Sequence, residues 1–374
     1  MRRVIEKYLE LINTEHFAKY CRDFACRMQK GLSTGYKQRA YEPKLVSVVE
    51  KVVNELKELS TSTNRFKIST KSIFIHGPRK GEETRVEFEY YGQKRQTELG
   101  DLIFILSIIY NRRKYFEKFT ISQFKKDDDR LRWDLSNKEQ VYLLSRFPPF
   151  KGVRGSIIPQ REFHLPNYSG CLGSYNLLYR PGDFVFVSAS SLENFVRNRK
   201  SIDIINISQL WGSPSCCFTY SIFFDRPHIE KLFYICEKYC RYRFPIPFLP
   251  LCLIGILGFS HYASNVYNFV DKYLRGCIGD LIFSDIGVYN KPAFNFLREL
   301  LSAIMRKAQK EKKMEVVNFV NEFFSHPYGG NQGGMREGIE FDDEKGGMKE
   351  HVEFDDEEGG FGIIYTLIDL GGED

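Results

Sequence analysis

The 374-residue chain contains no Cys-x-x-Cys pair, and its nine cysteines are odd in number. Zinc knuckles use closely spaced cysteine pairs, and a complete disulfide framework needs an even number of cysteines. The cysteine pattern therefore argues against both kinds of site. It favours a protein of a reducing compartment.

The chain also lacks a long, uninterrupted apolar segment. Its first residues, Met1–Lys7, are mostly charged, and no apolar signal-peptide core follows them. The most apolar run, residues 244–259, contains three prolines and is too short to cross a bilayer. We therefore expect a cytoplasmic protein without a membrane partner. Neither a Walker A sequence nor a Rossmann glycine fingerprint is present, which argues against ATP hydrolysis and nicotinamide chemistry.

Acidic and basic residues are segregated along the chain. Residues 329–374 hold 14 acids and 3 bases, so residues 1–328 hold 34 acids and 51 bases, a net charge of +17. A body this basic favours a phosphate-bearing partner such as nucleic acid. A lysine-rich surface that is merely solvated is the alternative, and composition leaves it open.

The pattern of apolar and polar residues predicts four successive regions. Helical and strand-like segments alternate at the start of the chain, and a 13-residue sequence beginning at Gly333 recurs from Gly346. Two copies of so polar a repeat are too few for a solenoid, so we expect a flexible acidic insertion. The predicted regions are a domain at 1–150, an α+β domain of unknown role at 151–328, the insertion at 329–360, and a terminal strand and tail at 361–374.

Local patterns predict the elements of these regions. Residues 30–39 contain two glycines and are predicted to form a loop, and Pro43 suits the first turn of the helix that follows. The polar middle of residues 292–324 predicts either one long helix or a helix pair. The other predicted elements are helices at 4–28, 139–146, 227–242 and 263–274 and strands at 66–76, 85–91, 99–106, 121–126, 174–178, 183–188 and 217–224.

Residues 98–126 are the most informative part of the chain. One apolar strand opens on Asp101, and a second strand closes on Gln123-Phe124-Lys125. Alternate residues of a strand share a face, so Gln123 and Lys125 point one way and Phe124 points the other. If the two strands pair, Asp101, Gln123 and Lys125 converge. A carboxylate and an amide oxygen can bind a hard cation, and a lysine can orient an attacking water or help to deprotonate it. The pattern predicts metal-assisted phosphodiester hydrolysis.

These residues resemble the PD-(D/E)xK superfamily of restriction-endonuclease-like nucleases. The resemblance is carried, over residues 42–150, by Glu42 at a helix start, Gly100-Asp101, Gln123-x-Lys125-Lys126, Gln140-x-x-Leu143-Leu144 and Phe147-Pro148-Pro149-Phe150. It is similar to the variants with Gln in the third motif position, found in Mrr-type enzymes and other prokaryotic defence nucleases. The resemblance implies an α/β restriction-endonuclease-like core, a mixed sheet flanked by helices, followed by the α+β domain. It implies a Mg²⁺- or Mn²⁺-dependent DNA endonuclease in prokaryotic defence or DNA processing.

The resemblance also implies roles for single residues. Asp101 matches the central metal-binding acid, Gln123 the second metal ligand and Lys125 the catalytic lysine. Glu42 matches the helix acid of the metal site, and its competitors on the same helix are Glu50 and, as a third choice, Glu55. The chain departs from the commonest motif because no Pro precedes Asp101 and because Gln123 replaces an acid. A neutral amide binds a divalent cation more weakly than a carboxylate does, so metal affinity would depend more on Asp101, Glu42 and substrate phosphate.

Basic residues near the motif are candidates for DNA contact. Arg112, Arg113 and Lys114 have aromatic residues beside them, which suits phosphate contact near the scissile bond, and Lys126 adjoins the catalytic lysine. An exposed basic hairpin without a ligand is the alternative. The three acids at 127–129 are expected to be solvated, since three neighbours cannot all turn toward one ion.

The sequence is compatible with two other functions. Because Gln123 replaces an acid, one alternative is a catalytically silent nucleic-acid-binding or assembly protein that retains the nuclease fold. The other is an interaction protein whose acidic segment mimics DNA and occupies its own basic groove. A homodimer or the partner proteins of a defence system would be compatible with each function.

Overall fold

The computed structural model describes residues 2–61, 66–76, 84–128, 131–197, 199–211, 260–284, 287–329 and 360–372. Helices and strands alternate along these ranges. The helices are α1 (Arg2–Ile12), α2 (Glu15–Lys37), α3 (Glu42–Val53), α4 (Lys138–Arg146), α5 (Ala189–Val196), α6 (Ile204–Trp211), α7 (Val266–Leu274), α8 (Lys291–Lys310) and α9 (Met314–Phe324).

The strands are β1 (Leu59–Ser60), β2 (Lys67–His76), β3 (Arg85–Tyr90), β4 (Gln93–Glu98), β5 (Leu102–Tyr110), β6 (Arg113–Lys126), β7 (Arg132–Asp134), β8 (Phe150–Gly152), β9 (Glu162–Phe163), β10 (Gly173–Tyr179), β11 (Asp183–Ser188), β12 (Ser201–Asp203), β13 (Tyr262–Ala263), β14 (Asp280–Ser284), β15 (Gly287–Val288) and β16 (Gly360–Asp369).

The largest sheet is mixed, and its main path has the order β1-β2-β16-β5-β6-β10-β11-β13, with β14 pairing β6 off that path. Strand β6 is antiparallel to β5 and parallel to β10. Strand β16 is parallel to β5 and antiparallel to β2. The predicted α/β class, a mixed sheet flanked by helices, is confirmed.

The sheet is buried on both faces because successive strand residues point to opposite sides. In β5, Ile103 and Ile105 pack into one hydrophobic cluster, which includes residues of α4, α5, α8 and α9. Their neighbours Leu102 and Phe104 pack into the other cluster, which includes residues of α1, α2, α3 and α7. Continuous burial of all nine residues of β5 follows from these two layers.

Residues at the N-termini of α3 and α4 define where these two helices begin. Helix α3 begins at Glu42, with Pro43 in its first turn, where a missing backbone N–H costs nothing. Helix α4 is capped by Asn137, whose side chain accepts a hydrogen bond from the Gln140 backbone N–H at 3.1 Å. Both helices therefore start at defined positions beside the sheet.

One predicted element differs from the structure. Residues 30–39, predicted as a loop, are largely helical because α2 continues to Lys37. Of the two alternatives predicted for residues 292–324, the structure has the helix pair, α8 and α9. The predicted terminal strand is β16, which lies between β2 and β5 rather than at an edge.

The predicted boundary at residue 150 does not separate two sheets. Strands β10, β11, β13 and β14 from the second region and β16 from the terminal region extend the sheet that β2, β5 and β6 begin. Edge pairing satisfies the backbone hydrogen-bonding groups that a sheet limited to the first region would leave open. The repeat at residues 333–358 and the elements predicted at 217–224 and 227–242 lie outside the described ranges.

Among the described helices, none has the length and apolar composition that a bilayer crossing requires.

Candidate active site at the ends of two strands

Pairing of β5 with β6 brings the sequence-predicted residues together. Leu102 lies opposite Ser122, and the Asp101 backbone N–H donates to the Ser122 carbonyl oxygen at 2.9 Å. Asp101 therefore stands beside Gln123 at the point where β5 begins and β6 approaches its end. Phe124 points to the opposite cluster, as strand alternation requires.

Asp101 is held by two hydrogen bonds to one of its oxygens. Its Oδ2 accepts from Gln123 Nε2 at 2.5 Å and from the Phe124 backbone N–H at 2.7 Å. Burial, together with the repulsion of Glu42 and Glu98, raises the pKa of Asp101 to about 8. This carboxyl group therefore carries a proton over most of the neutral range.

Glu42 reaches the same end of the sheet from the first turn of α3. Its Oε1 lies 3.4 Å from Lys125 Nζ, and its Oε2 accepts from the Lys126 backbone N–H at 2.7 Å. Burial lowers the pKa of Lys125, but attraction to Glu42 and Asp101 outweighs burial, so the pKa is raised. Lys125 is consequently an ammonium at neutral pH.

A glutamine that was not assigned a role, Gln140 of α4, completes the arrangement. Its Nε2 donates to Gln123 Oε1 at 2.6 Å and to the Glu98 carbonyl oxygen at 3.3 Å. These contacts turn the Gln123 amide so that its nitrogen faces Asp101. The Gln123 carbonyl oxygen, predicted as a metal ligand, accepts a hydrogen bond from Gln140 in this arrangement.

The alternative helix acid, Glu50, lies elsewhere. It is two turns along α3 from Glu42, roughly 12 Å, and its Oε1 accepts from Ser72 Oγ at 2.6 Å. Burial raises the pKa of Glu50. Of the two helix acids, Glu42 is the one that contacts the Lys125 end of β6.

The predicted DNA contacts separate into three environments. Arg112 and Arg113 are exposed at the β5–β6 turn, but twelve residues of extended strand place Arg113 roughly 40 Å from Lys125. They do not lie beside the site, which corrects that expectation. Lys126 is near it, and its Nζ donates to the Ala40 carbonyl oxygen at 3.0 Å.

Lys114 is buried, and this corrects its prediction as a DNA contact. Its side chain and that of Glu117 have 0% exposure, and Nζ lies 2.7 Å from Glu117 Oε2. The ammonium also lies 3.5 Å from the centroid of the Phe323 ring. Burial lowers the pKa of Lys114, although Glu117 opposes this. A side chain without exposed surface cannot contact a phosphate.

The donor atoms of the site can be tested against a divalent cation. Within the described ranges, no group of three or more His, Cys, Asp or Glu side chains is placed to hold a metal ion. Glu42 and Asp101 nevertheless supply hard carboxylate oxygens, and their mutual repulsion contributes to the raised Asp101 pKa. A bound cation would relieve that repulsion, so the chemistry of these two residues fits Mg²⁺ or Mn²⁺.

Comparison of the chain with protein-family models, with curated proteins and with solved structures finds no match.

Proposed function

We propose that this protein is a Mg²⁺- or Mn²⁺-dependent DNA endonuclease that hydrolyses phosphodiester bonds. The observation that carries the proposal is the convergence of two carboxylates, Asp101 and Glu42, with the Lys125 ammonium at the ends of two paired strands. The mixed sheet flanked by helices supports a restriction-endonuclease-like core. Prokaryotic defence or DNA processing is the setting that this activity suggests.

Each residue then has a defined task. Asp101 and Glu42 would hold the cation, which when bound would polarise a phosphate oxygen and activate a water. Lys125, as an ammonium, donates hydrogen bonds and stabilises negative charge that develops on the phosphate; its raised pKa makes it a poor proton acceptor. Gln123 and Gln140 hold the Asp101 carboxyl in position.

A second candidate is a nucleic-acid-binding protein that retains the nuclease fold without cutting. One observation favours it: Gln123 presents an N–H to Asp101, and Lys125 already pairs with Glu42, so the site is satisfied without a cation. Such a protein would bind DNA in the absence of metal, with affinity that falls as salt rises.

Nicking of supercoiled plasmid with Mg²⁺ or Mn²⁺ tests the proposal. We expect cutting by the native protein and a loss of about a hundredfold or more in both site variants, because Asp101→Asn removes a carboxylate ligand of the cation and Lys125→Met removes the ammonium. Asp271→Asn and Lys71→Met are matched controls, since these residues form ion pairs on other elements.

The possible outcomes separate the candidates. Cutting that persists in both site variants would refute the site assignment. If the native protein binds DNA without metal but does not cut it with either cation, the second candidate replaces the first.

A further inference from the structure

Exposed cations surround the start of α3. Lys37, Arg39 and Lys44, together with Tyr41, form what we call the α2–α3 corner, and all four side chains are exposed. Between residues 24 and 49 the chain has five bases and a single acid, Glu42. In the described part of the chain, the ion pairs and side-chain hydrogen bonds do not involve the three cations of the corner. Their charges are therefore available to a ligand.

Residues of the α2–α3 segment contact residues of the candidate active site. Lys126 Nζ donates to the Ala40 carbonyl oxygen at 3.0 Å and lies 5.5 Å from the centroid of the Tyr36 ring. Glu42, the residue after Tyr41, contacts Lys125. An anion held by the corner would thus lie next to the Asp101–Lys125 site.

The backbone of the corner is defined. Arg39 has a left-handed φ of 57°, and its N–H donates to the Tyr36 carbonyl oxygen while that of Ala40 donates to the Gly35 carbonyl oxygen. These hydrogen bonds satisfy carbonyl groups at the end of α2. The positive end of the α3 dipole adds to the charge of the side chains. The three cations therefore extend from an ordered stretch of backbone beside the start of α3.

We propose that the α2–α3 corner is the surface that binds the phosphate backbone of nucleic acid and holds it across the active site. The inference rests on the proposed function, because it takes the neighbouring residues to be the place where a phosphodiester is cut. Tyr41 adds an aromatic side chain with 42% exposure to the corner.

Two pairs of exposed bases, one in the α2–α3 corner and one at the β5–β6 turn, allow a matched test. Arg39→Gln/Lys44→Gln and Arg112→Gln/Arg113→Gln remove the same charge from exposed positions, and Arg39 and Arg112 have nearly equal φ values of 57° and 60°. Binding of a short fluorescent DNA duplex is measured by anisotropy in EDTA at several NaCl concentrations. Thermal melting confirms that both variants fold.

We expect the corner variant to lose at least about tenfold in affinity and to reduce the salt slope by about 2, one unit for each lost phosphate contact. The control variant should change by about twofold or less. Equal losses in both variants, or a larger loss in the control, would overturn the inference. Absence of DNA binding by the native protein would also overturn it, as would displacement of DNA by poly-glutamate of equal charge.

The measured DNA affinity is independent of cleavage because EDTA removes the divalent cations that cleavage requires. If the corner binds DNA but the native protein never cuts with Mg²⁺ or Mn²⁺, the proposed nuclease function fails and the binding inference stands.

Discussion

Asp101 is the residue whose ionisation most directly links the site to stability. Its pKa is about 8 in the folded protein against 3.8 without burial and the repulsion of Glu42 and Glu98. The folded state therefore retains a proton that the unfolded state releases between these values. By linkage, the contribution of Asp101 to the free energy of unfolding falls as pH rises from about 4 to about 8 and is constant above that.

Asp101→Asn should remove this pH dependence. We expect the difference in unfolding free energy, variant minus native, to increase from pH 5 to pH 8, measured by urea denaturation in EDTA. Asp134→Asn is the control, because a hydrogen bond from the Ser136 backbone lowers the pKa of Asp134 and confines its effect to more acidic solutions. A difference that stays flat for Asp101→Asn would show that this carboxyl is ionised throughout.

The faces of single strand residues follow from local sequence alone. Strand alternation alone puts Gln123 and Lys125 on one face and Phe124 on the other. It could not predict that Gln140 would fix the Gln123 amide, because that contact needs α4 to dock on the sheet. Nor could it distinguish Lys114, which is buried beside Glu117, from its exposed neighbour Arg113.

At the scale of elements, the glycines of α2 show why residues 30–39 were predicted wrongly. A Cβ on Gly31 would lie 2.7 Å from a Val48 side-chain atom, and one on Gly35 would lie 2.7 Å from a Leu45 side-chain atom. These glycines let α2 approach α3 closely. Local sequence patterns assign glycines to loops, because such patterns carry no information about a packing partner distant in the chain.

A glycine also controls the distance between α4 and β10. A Cβ on Gly173 would lie 2.1 Å from the Leu144 carbonyl oxygen, so the backbones are in direct contact. Gly173→Ala should displace the helix that carries Gln140 and lower the free energy of unfolding by about 1–3 kcal/mol, measured by urea denaturation. The expected loss exceeds that of Gly92→Asn, where no atom lies within 4 Å of the added Cβ. Equal stability of Gly173→Ala and the native protein would contradict this packing.

At the scale of the whole molecule, one sheet joins regions that are distant in sequence. Strand β16 pairs with β2 and β5 over most of its length, and Gly362 N–H donates to the Asp101 carbonyl oxygen at 2.9 Å. In the sequence, β16 directly follows the acidic residues 330–359. The strand after the acidic segment is therefore the one that contacts Asp101. Fold and site therefore both require the C-terminal part of the chain.

The charge segregation leads to a prediction for the intact chain. Residues 331–358 hold eleven acids and three bases, and replacing them with a Gly-Ser segment of equal length should raise DNA affinity, because it removes net negative charge from a basic body. Anisotropy at low salt measures the change, and the effect should shrink as salt rises. A scrambled segment with the same composition is the control and should leave affinity unchanged. Unaltered affinity in the Gly-Ser variant would contradict the prediction.

Local sequence patterns predict the α/β class, most strand positions and the shared face of Gln123 and Lys125, since these follow from side-chain alternation and local backbone preference. Tertiary packing brings Glu42 rather than Glu50 to Lys125, orients Gln123 through Gln140, and places β16 in the middle of the sheet. Those features depend on packing between segments far apart in the chain. Close packing between distant segments cannot be predicted from a short stretch of sequence, because it depends on the shapes of both partners.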